Sequence, residues 1–282
     1  MSFVNRRPFN ALKSFYKYTL KPAVFRTLLG LFARRSRHVI TPSNYVRNQV
    51  IDRLRVPARR VTTTYEAVDK LAERAEAVPE LQGRDFVFFV GNAFVYKNLH
   101  RLMDAVAVIP NIVLAIAGKR DFYYEQLILY ARGLGYSNVE FPGFVSDAQL
   151  VWMYQNAKMY VIPSLSEGFS LTGLEAMYYG LPVASSSATC LPEIYGNAAV
   201  YFDPYDVLDI RAKVWRTLDD PTKLDALAKR GREQIEIYSW KRMAEQTLKI
   251  YEAALHAKRR DVVPRPARGI ILEAEKQSVS RE

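Results

Sequence analysis

Residues Pro163 to Ser187 read PSLSEGFSLTGLEAMYYGLPVASSS. Just upstream, Met159, Tyr160, Val161 and Ile162 form an apolar run short enough for a buried strand. Downstream, Leu174, Ala176, Met177 and Leu181 recur at helical spacing, and Gly180 followed by Pro182 stops the helix. The stretch therefore predicts a strand, a loop carrying Glu167, and a helix carrying Glu175 one or two turns in. Backbone N–H groups at such a helix start point outward, and the aligned peptide dipoles favour an anion there. Glu167 is expected on the rim and Glu175 facing back into the same crevice, an arrangement that fits a phosphate-bearing ligand with hydroxyls at both ends.

Alternation of apolar and amphipathic segments continues on both sides. Strands are expected at Phe86–Val90, Ile112–Ala117, Val139–Phe141, Met159–Ile162, Val183–Ser185 and Val200–Phe202. Helices are expected near 98–108, 122–134, 147–156, 171–179 and 207–219, with two more near 222–236 and 241–257. Repeated βα units imply an α/β fold, a doubly wound parallel sheet with ligands at the carboxyl ends of its strands.

These residues resemble the donor-binding signature of the retaining group 1 (family 4) glycosyltransferases, which have the GT-B fold. The family pattern is close to E-G-F-G-L-x-x-L-E-A-M-A-x-G-x-P-V followed by L-P-E. Here the match runs on through Leu191, Pro192, Glu193, Gly196, Asn197 and Ala198 to Asp203, Pro204 and Asp206. The resemblance covers about residues 38 to 257. Two positions depart from it: Ser170 stands where the family usually has Gly, and Gly173 where Pro is frequent. Ser170 is small and keeps its N–H, so little loss is expected there.

The resemblance implies site residues. Glu167 matches the acid at the sugar end of the donor, and Glu175 the carboxylate that accepts hydrogen bonds from ribose hydroxyls. The N–H groups of Gly168, Phe169, Ser170 and Leu171 would cradle phosphate. After the first strand comes Gly91-Asn92-Ala93-Phe94-Val95-Tyr96-Lys97. Lys97 matches the family lysine that meets the diphosphate; taken alone it reads as a surface residue at a helix start. Glu167 and Lys97 are thus the expected catalytic pair. Asn92 sits where an arginine is common. The loop through Gly143 and Val145 would touch the base, and Arg120 the base or diphosphate. No cofactor beyond a substrate such as a UDP- or GDP-hexose is implied, and no His, Cys and carboxylate cluster suggests a metal.

The resemblance also frames the domains. Residues 1–70 would be a basic, amphipathic remnant of the acceptor domain, joined by a linker, 71–84, to the nucleotide-sugar domain, 85–220. Helices in 221–258 would cross back, and 259–282 would be a disordered tail. The implied reaction is hexosyl transfer with retention to a glycan or lipid-linked acceptor in polysaccharide synthesis. The alternative is a catalytically incomplete nucleotide-sugar-binding half that needs a partner chain.

Charge is concentrated at one end. Residues 1–60 hold fourteen Lys or Arg against one acid, Asp52, exceeding the whole chain's net charge of +11. Leu12, Phe15, Tyr16 and Leu20 share one helical face, and Val24, Phe25, Leu28, Leu29 and Phe32 a second, with cations behind both. Two readings stay open: residues 1–37 lie on an anionic membrane surface or partner chain, or they pack on the fold with a solvated basic face. No nucleic-acid module accompanies the charge. One cysteine, Cys190, excludes an internal disulfide. With no spanning segment in view, the expected location is the cytoplasm, or the periphery of the inner membrane face.

Overall fold

The structure, a computed structural model, describes residues 21–256. The expected helical face of Leu12 to Leu20 and the expected disordered tail lie outside the described residues. The chain divides into two compact units, residues 40–248 and a smaller one formed from the residues before and after them.

The larger unit is built on a six-stranded sheet. Its strands are β3 (Phe86–Val90), β4 (Val113–Ala117), β5 (Val139–Gly143), β6 (Met159–Ile162), β7 (Val183–Ser186) and β8 (Ala199–Phe202). All pairings are parallel, in the order β5-β4-β3-β6-β7-β8. Strands buried on both faces read as unbroken apolar runs, as FVFFV in β3 and MYVI in β6 do. Side-chain alternation splits each run between two cores. Phe86 and Phe88 pack with Tyr154, Tyr160 and Leu174 on one face. Val87 and Phe89 pack with Leu102, Met103 and Tyr124 on the other.

The covering helices are α3 (Leu99–Val106), α4 (Phe122–Gly133), α5 (Asp147–Asn156), α6 (Leu171–Tyr178), α7 (Leu191–Tyr195), α8 (Val207–Leu218) and α9 (Pro221–Ile235). Their starts follow local sequence signals. Asp121, Asp206 and Asp220 each accept an N–H of the next turn, and Ser146 with Gln149 closes a capping box. Each expected strand and helix of this sheet forms within two residues of its expected limits. The short α7 was not foreseen, because five residues cannot display a helical period.

Two further strands, β1 (Val39–Thr41) and β2 (Val61–Thr63), make a separate two-stranded sheet flanking helix α2 (Asn44–Leu54). Ser43 caps α2 by accepting from the Val46 N–H. Within residues 71–84, Val78 and Leu81 are buried, and the Leu71 N–H donates to the Tyr179 hydroxyl at 3.0 Å.

In the smaller unit, helix α1 (Lys21–Arg35) leaves Val24, Phe25, Leu28, Leu29 and Phe32 exposed. The end of helix α10 (Trp240–His256) belongs to the same unit, where Arg37 donates to the Ala254 carbonyl at 2.6 Å. No helix among the described residues is long and apolar enough to cross a membrane.

Candidate functional site

Strand order reverses between β3 and β6: the chain builds outward to β4 and β5, then returns to the other side of β3. In open α/β sheets such a switch point leaves a crevice outside the strand ends, because the two following loops diverge. Here those loops are 91–98 and 163–170, which carry the two expected constellations. The Leu165 N–H donates to the Tyr96 carbonyl at 2.8 Å. Asn98, fully buried and left-handed at φ 59°, donates to the Pro163 and Pro204 carbonyls at 3.1 and 2.7 Å. Its part in locking the loops gave no sequence signal, since a buried amide strut looks like any loop asparagine.

Lys97 and Glu167 meet across this junction. Nζ donates to Oε1 at 2.6 Å, and the two side chains are only 17% and 12% exposed. The Glu167 N–H is held by Thr189 Oγ1 at 3.1 Å. Glu167 and Gly168 line a cavity of about 590 Å3 with Tyr96, Ser166 and one face of α2, namely Tyr45, Val46, Gln49 and Arg53. Among the described residues, the N–H groups of Phe169, Ser170 and Leu171 donate no hydrogen bond within the protein. They remain free at the start of α6 to meet an anion.

Glu175 is not among the residues lining that cavity. It is half-buried on α6, where Tyr154 donates to its Oε2 at 2.8 Å. Burial raises its carboxyl pKa above the ordinary range, with the Tyr154 bond opposing. Glu175 and Glu167 still share a neighbour: both act electrostatically on the buried Tyr160 hydroxyl, which donates to the Val90 carbonyl at 3.4 Å.

Other expected residues divide. Gly91 is held at φ 146°, a region that residues with a Cβ rarely adopt, and where β3 and β4 end its carbonyl leaves no room for a Cβ on Gly118. Asn92 is exposed beside it. Val145 and Phe169 are core residues, so only their backbones can serve a ligand. Arg120 forms a local ion pair. Its Nε donates to Glu125 at 3.1 Å, and it lines a separate cavity of about 400 Å3 beside the edge strand β5. That local ion pair was readable as Arg120 and Glu125 five residues apart, but not its direction.

The two departures from the signature meet at Tyr195. A Cβ on Gly173 would lie 2.4 Å from the Tyr195 ring, so this glycine makes room for a fully buried tyrosine. The Tyr195 hydroxyl then donates to the Ser170 carbonyl at 2.9 Å. Ser170 sits at φ 79°, a region that disfavours any residue with a Cβ. Its substitution for Gly therefore carries a conformational cost that its small size does not remove.

Residues 72–234 match the family described as glycosyl transferases group 1, more than half the chain. The chain belongs to that family. This group 1 glycosyltransferase chain is 31% identical over 228 residues to O-antigen chain mannosyltransferase B of Escherichia coli, covering 76% of this chain and 60% of that one. It is 40% identical over 115 residues to MMP alpha-(1->4)-mannosyltransferase of Mycolicibacterium hassiacum, covering 39% of this chain and 28% of the relative. The chain thus spans well under two thirds of the length of either relative. Among solved structures, sucrose-phosphate synthase of Thermosynechococcus elongatus superposes with a TM-score of 0.74 at 23% identity, covering 86% of this chain and 65% of its own. Anabaena Alr3699/HepE, solved in complex with UDP and glucose, gives 0.67 at 19% identity over 77% of this chain and 63% of its own. These likenesses concern the fold, which is α/β and GT-B-type.

Proposed function

We propose that this chain carries the donor site of a retaining hexosyltransferase, which moves a hexosyl group from a nucleoside-diphosphate sugar to a glycan or lipid-linked acceptor. The observation that carries the reading is Lys97, held at the β3–β6 switch point against Glu167, whose loop runs on into three N–H groups without partners. An ammonium and helix-start donors on two adjoining loops suit a diphosphate, whose charge grows as the sugar–phosphate bond breaks. Glu175 would accept the ribose hydroxyls, and Glu167 would face the sugar. Gly91, Asn92 and the loop through Val145 would border the nucleotide, while Arg120 could join only by leaving Glu125. Mannosyl, named for two relatives above, is the first hexosyl to test. The exposed apolar face of α1 with Arg26, Arg34 and Arg35 also suits an anionic membrane surface, consistent with a lipid-linked acceptor.

Titration calorimetry with GDP and UDP tests the donor site. Binding of one of them at micromolar to millimolar concentration, weakened in Glu175→Ala, is expected. Absence of heat and of any melting shift with both nucleotides would sink the reading. Proton spectra of a transferred product would report whether the anomeric configuration is kept.

A further inference from the structure

Helix α2 presents Tyr45, Gln49 and Arg53 to the 590 Å3 cavity, across from Glu167 and Gly168. Their spacing of four residues puts them on one face, over about 12 Å of helix. This wall is fastened to the loops of the switch point. The two carboxylate oxygens of Glu193 accept the N–H groups of Asn44 and Tyr45 at 2.6 and 2.8 Å. Glu193 also accepts the Tyr65 hydroxyl at 2.8 Å, and Ser43 Oγ donates to the Gly168 carbonyl at 2.7 Å. A helix held at its first turn by groups from α7 and from the Glu167 loop is a preorganised surface.

The charge on the lining is unbalanced. Its ionisable lining groups with full charge are Glu167 and Arg53, and Glu167 is already matched by Lys97 at 2.6 Å. Among the described residues no carboxylate pairs with Arg53. One guanidinium is left at the far end of the wall, and its planar fork fits two oxygens of one anion. The donor groups stand on β3, β6 and α6; this face belongs to a different element on the opposite side.

Resting on the donor reading above, we propose that this face of α2 binds the acceptor and that Arg53 recognises an anionic group, phosphate or carboxylate, carried by the acceptor glycan. Tyr45 and Gln49 supply a ring edge and an amide to the sugar between Arg53 and Glu167. Arg53 is then a specificity-determining residue.

The test uses the full chain and three small probes: mannose 6-phosphate, glucuronate and methyl α-mannoside, titrated by ligand-observed NMR. One of the two anionic sugars should bind about tenfold tighter than the neutral one, and which of them does so separates phosphate from carboxylate. The preference should vanish in Arg53→Gln and persist in part in Arg53→Lys. Equal binding of all three probes, binding of none, or a preference that survives Arg53→Gln overturns the proposal. Calorimetry with GDP and UDP on the same samples separates the two readings. Arg53→Gln should bind nucleotide as the parent does, and weaker binding would move Arg53 to the donor side and also overturn the proposal. A parent that binds neither nucleotide, yet loses the anionic preference in Arg53→Gln, would count against the donor reading and not against Arg53.

Discussion

Lys97 gives one of the three N–H groups of its ammonium to Glu167 at 2.6 Å, so on the donor reading a diphosphate competes with the carboxylate for that charge. Such an exchange would loosen Glu167 beside the sugar as the donor binds. Glu167→Gln should therefore raise affinity for GDP or UDP several-fold, because Lys97 no longer has to leave a charged partner, while sugar transfer falls. Lys97→Met should weaken the same nucleotide about tenfold to a hundredfold. Calorimetry on both variants decides; a loss of nucleotide affinity in Glu167→Gln would exclude the exchange. Glu175 has a pH signature. A carboxyl whose pKa is raised by burial binds its proton more tightly folded than unfolded, so its stabilising effect is lost as pH rises through that raised value. Nucleotide hydroxyls need the ionised form, so affinity should fall as pH drops through the same range, above that of ordinary carboxylates. Glu175→Gln should flatten this acid limb without lowering the melting temperature at neutral pH. Ser170 and Gly173 make a paired prediction. Ser170→Gly should stabilise by about 1 kcal/mol by relieving φ 79°, and Gly173→Ala should destabilise by about 1–3 kcal/mol against the Tyr195 ring. Thermal melts with opposite signs are the check.

At the scale of elements, α2 is the piece whose position matters most. Ser43 accepts only the Val46 N–H, and the Asn44 and Tyr45 N–H groups would be unsatisfied without an acceptor from elsewhere; Glu193, 149 residues away from Asn44, supplies it together with a favourable charge at the positive end of the helix. Glu193→Ala should cost about 1–3 kcal/mol and free the first-turn amides of α2 to exchange with solvent faster. Amides of β3 and β6 should be unaffected. Glu193→Gln, with one carbonyl oxygen for two N–H donors, should fall between. Uniform loss of protection over the sheet would show that Glu193 supports the whole core rather than this helix.

Across the whole molecule, the described part of the basic end includes helix α1, with Phe25 and Phe32 more than 60% exposed. Apolar side chains beside Lys21, Arg26, Arg34 and Arg35 should draw the protein to anionic vesicles at low salt, with the attraction screened as salt rises. Replacing Phe25 and Phe32 by Ser should release it from sedimenting vesicles while nucleotide binding in residues 40–248 persists. Vesicle binding equal in parent and variant would assign the attraction to charge elsewhere.

The positions of the six strands and their main helices along the chain were legible because each strand of a doubly covered parallel sheet is a short apolar run, and several helices carry their own cap or stop. Ser146, Asp121, Asp206 and the pair Gly180 and Pro182 mark boundaries by local chemistry alone. The signature around Glu167 and Glu175 likewise announced a ligand site at strand ends. Tertiary structure decided what those residues touch. The Lys97–Glu167 pair spans 70 residues and the Glu193 clamp nearly 150, distances over which sequence spacing says nothing about contact. It also decided that Arg120 turns to Glu125 and that Glu175 is drawn to Tyr154, because burial and nearby partners, rather than residue type, set where a charged side chain comes to rest.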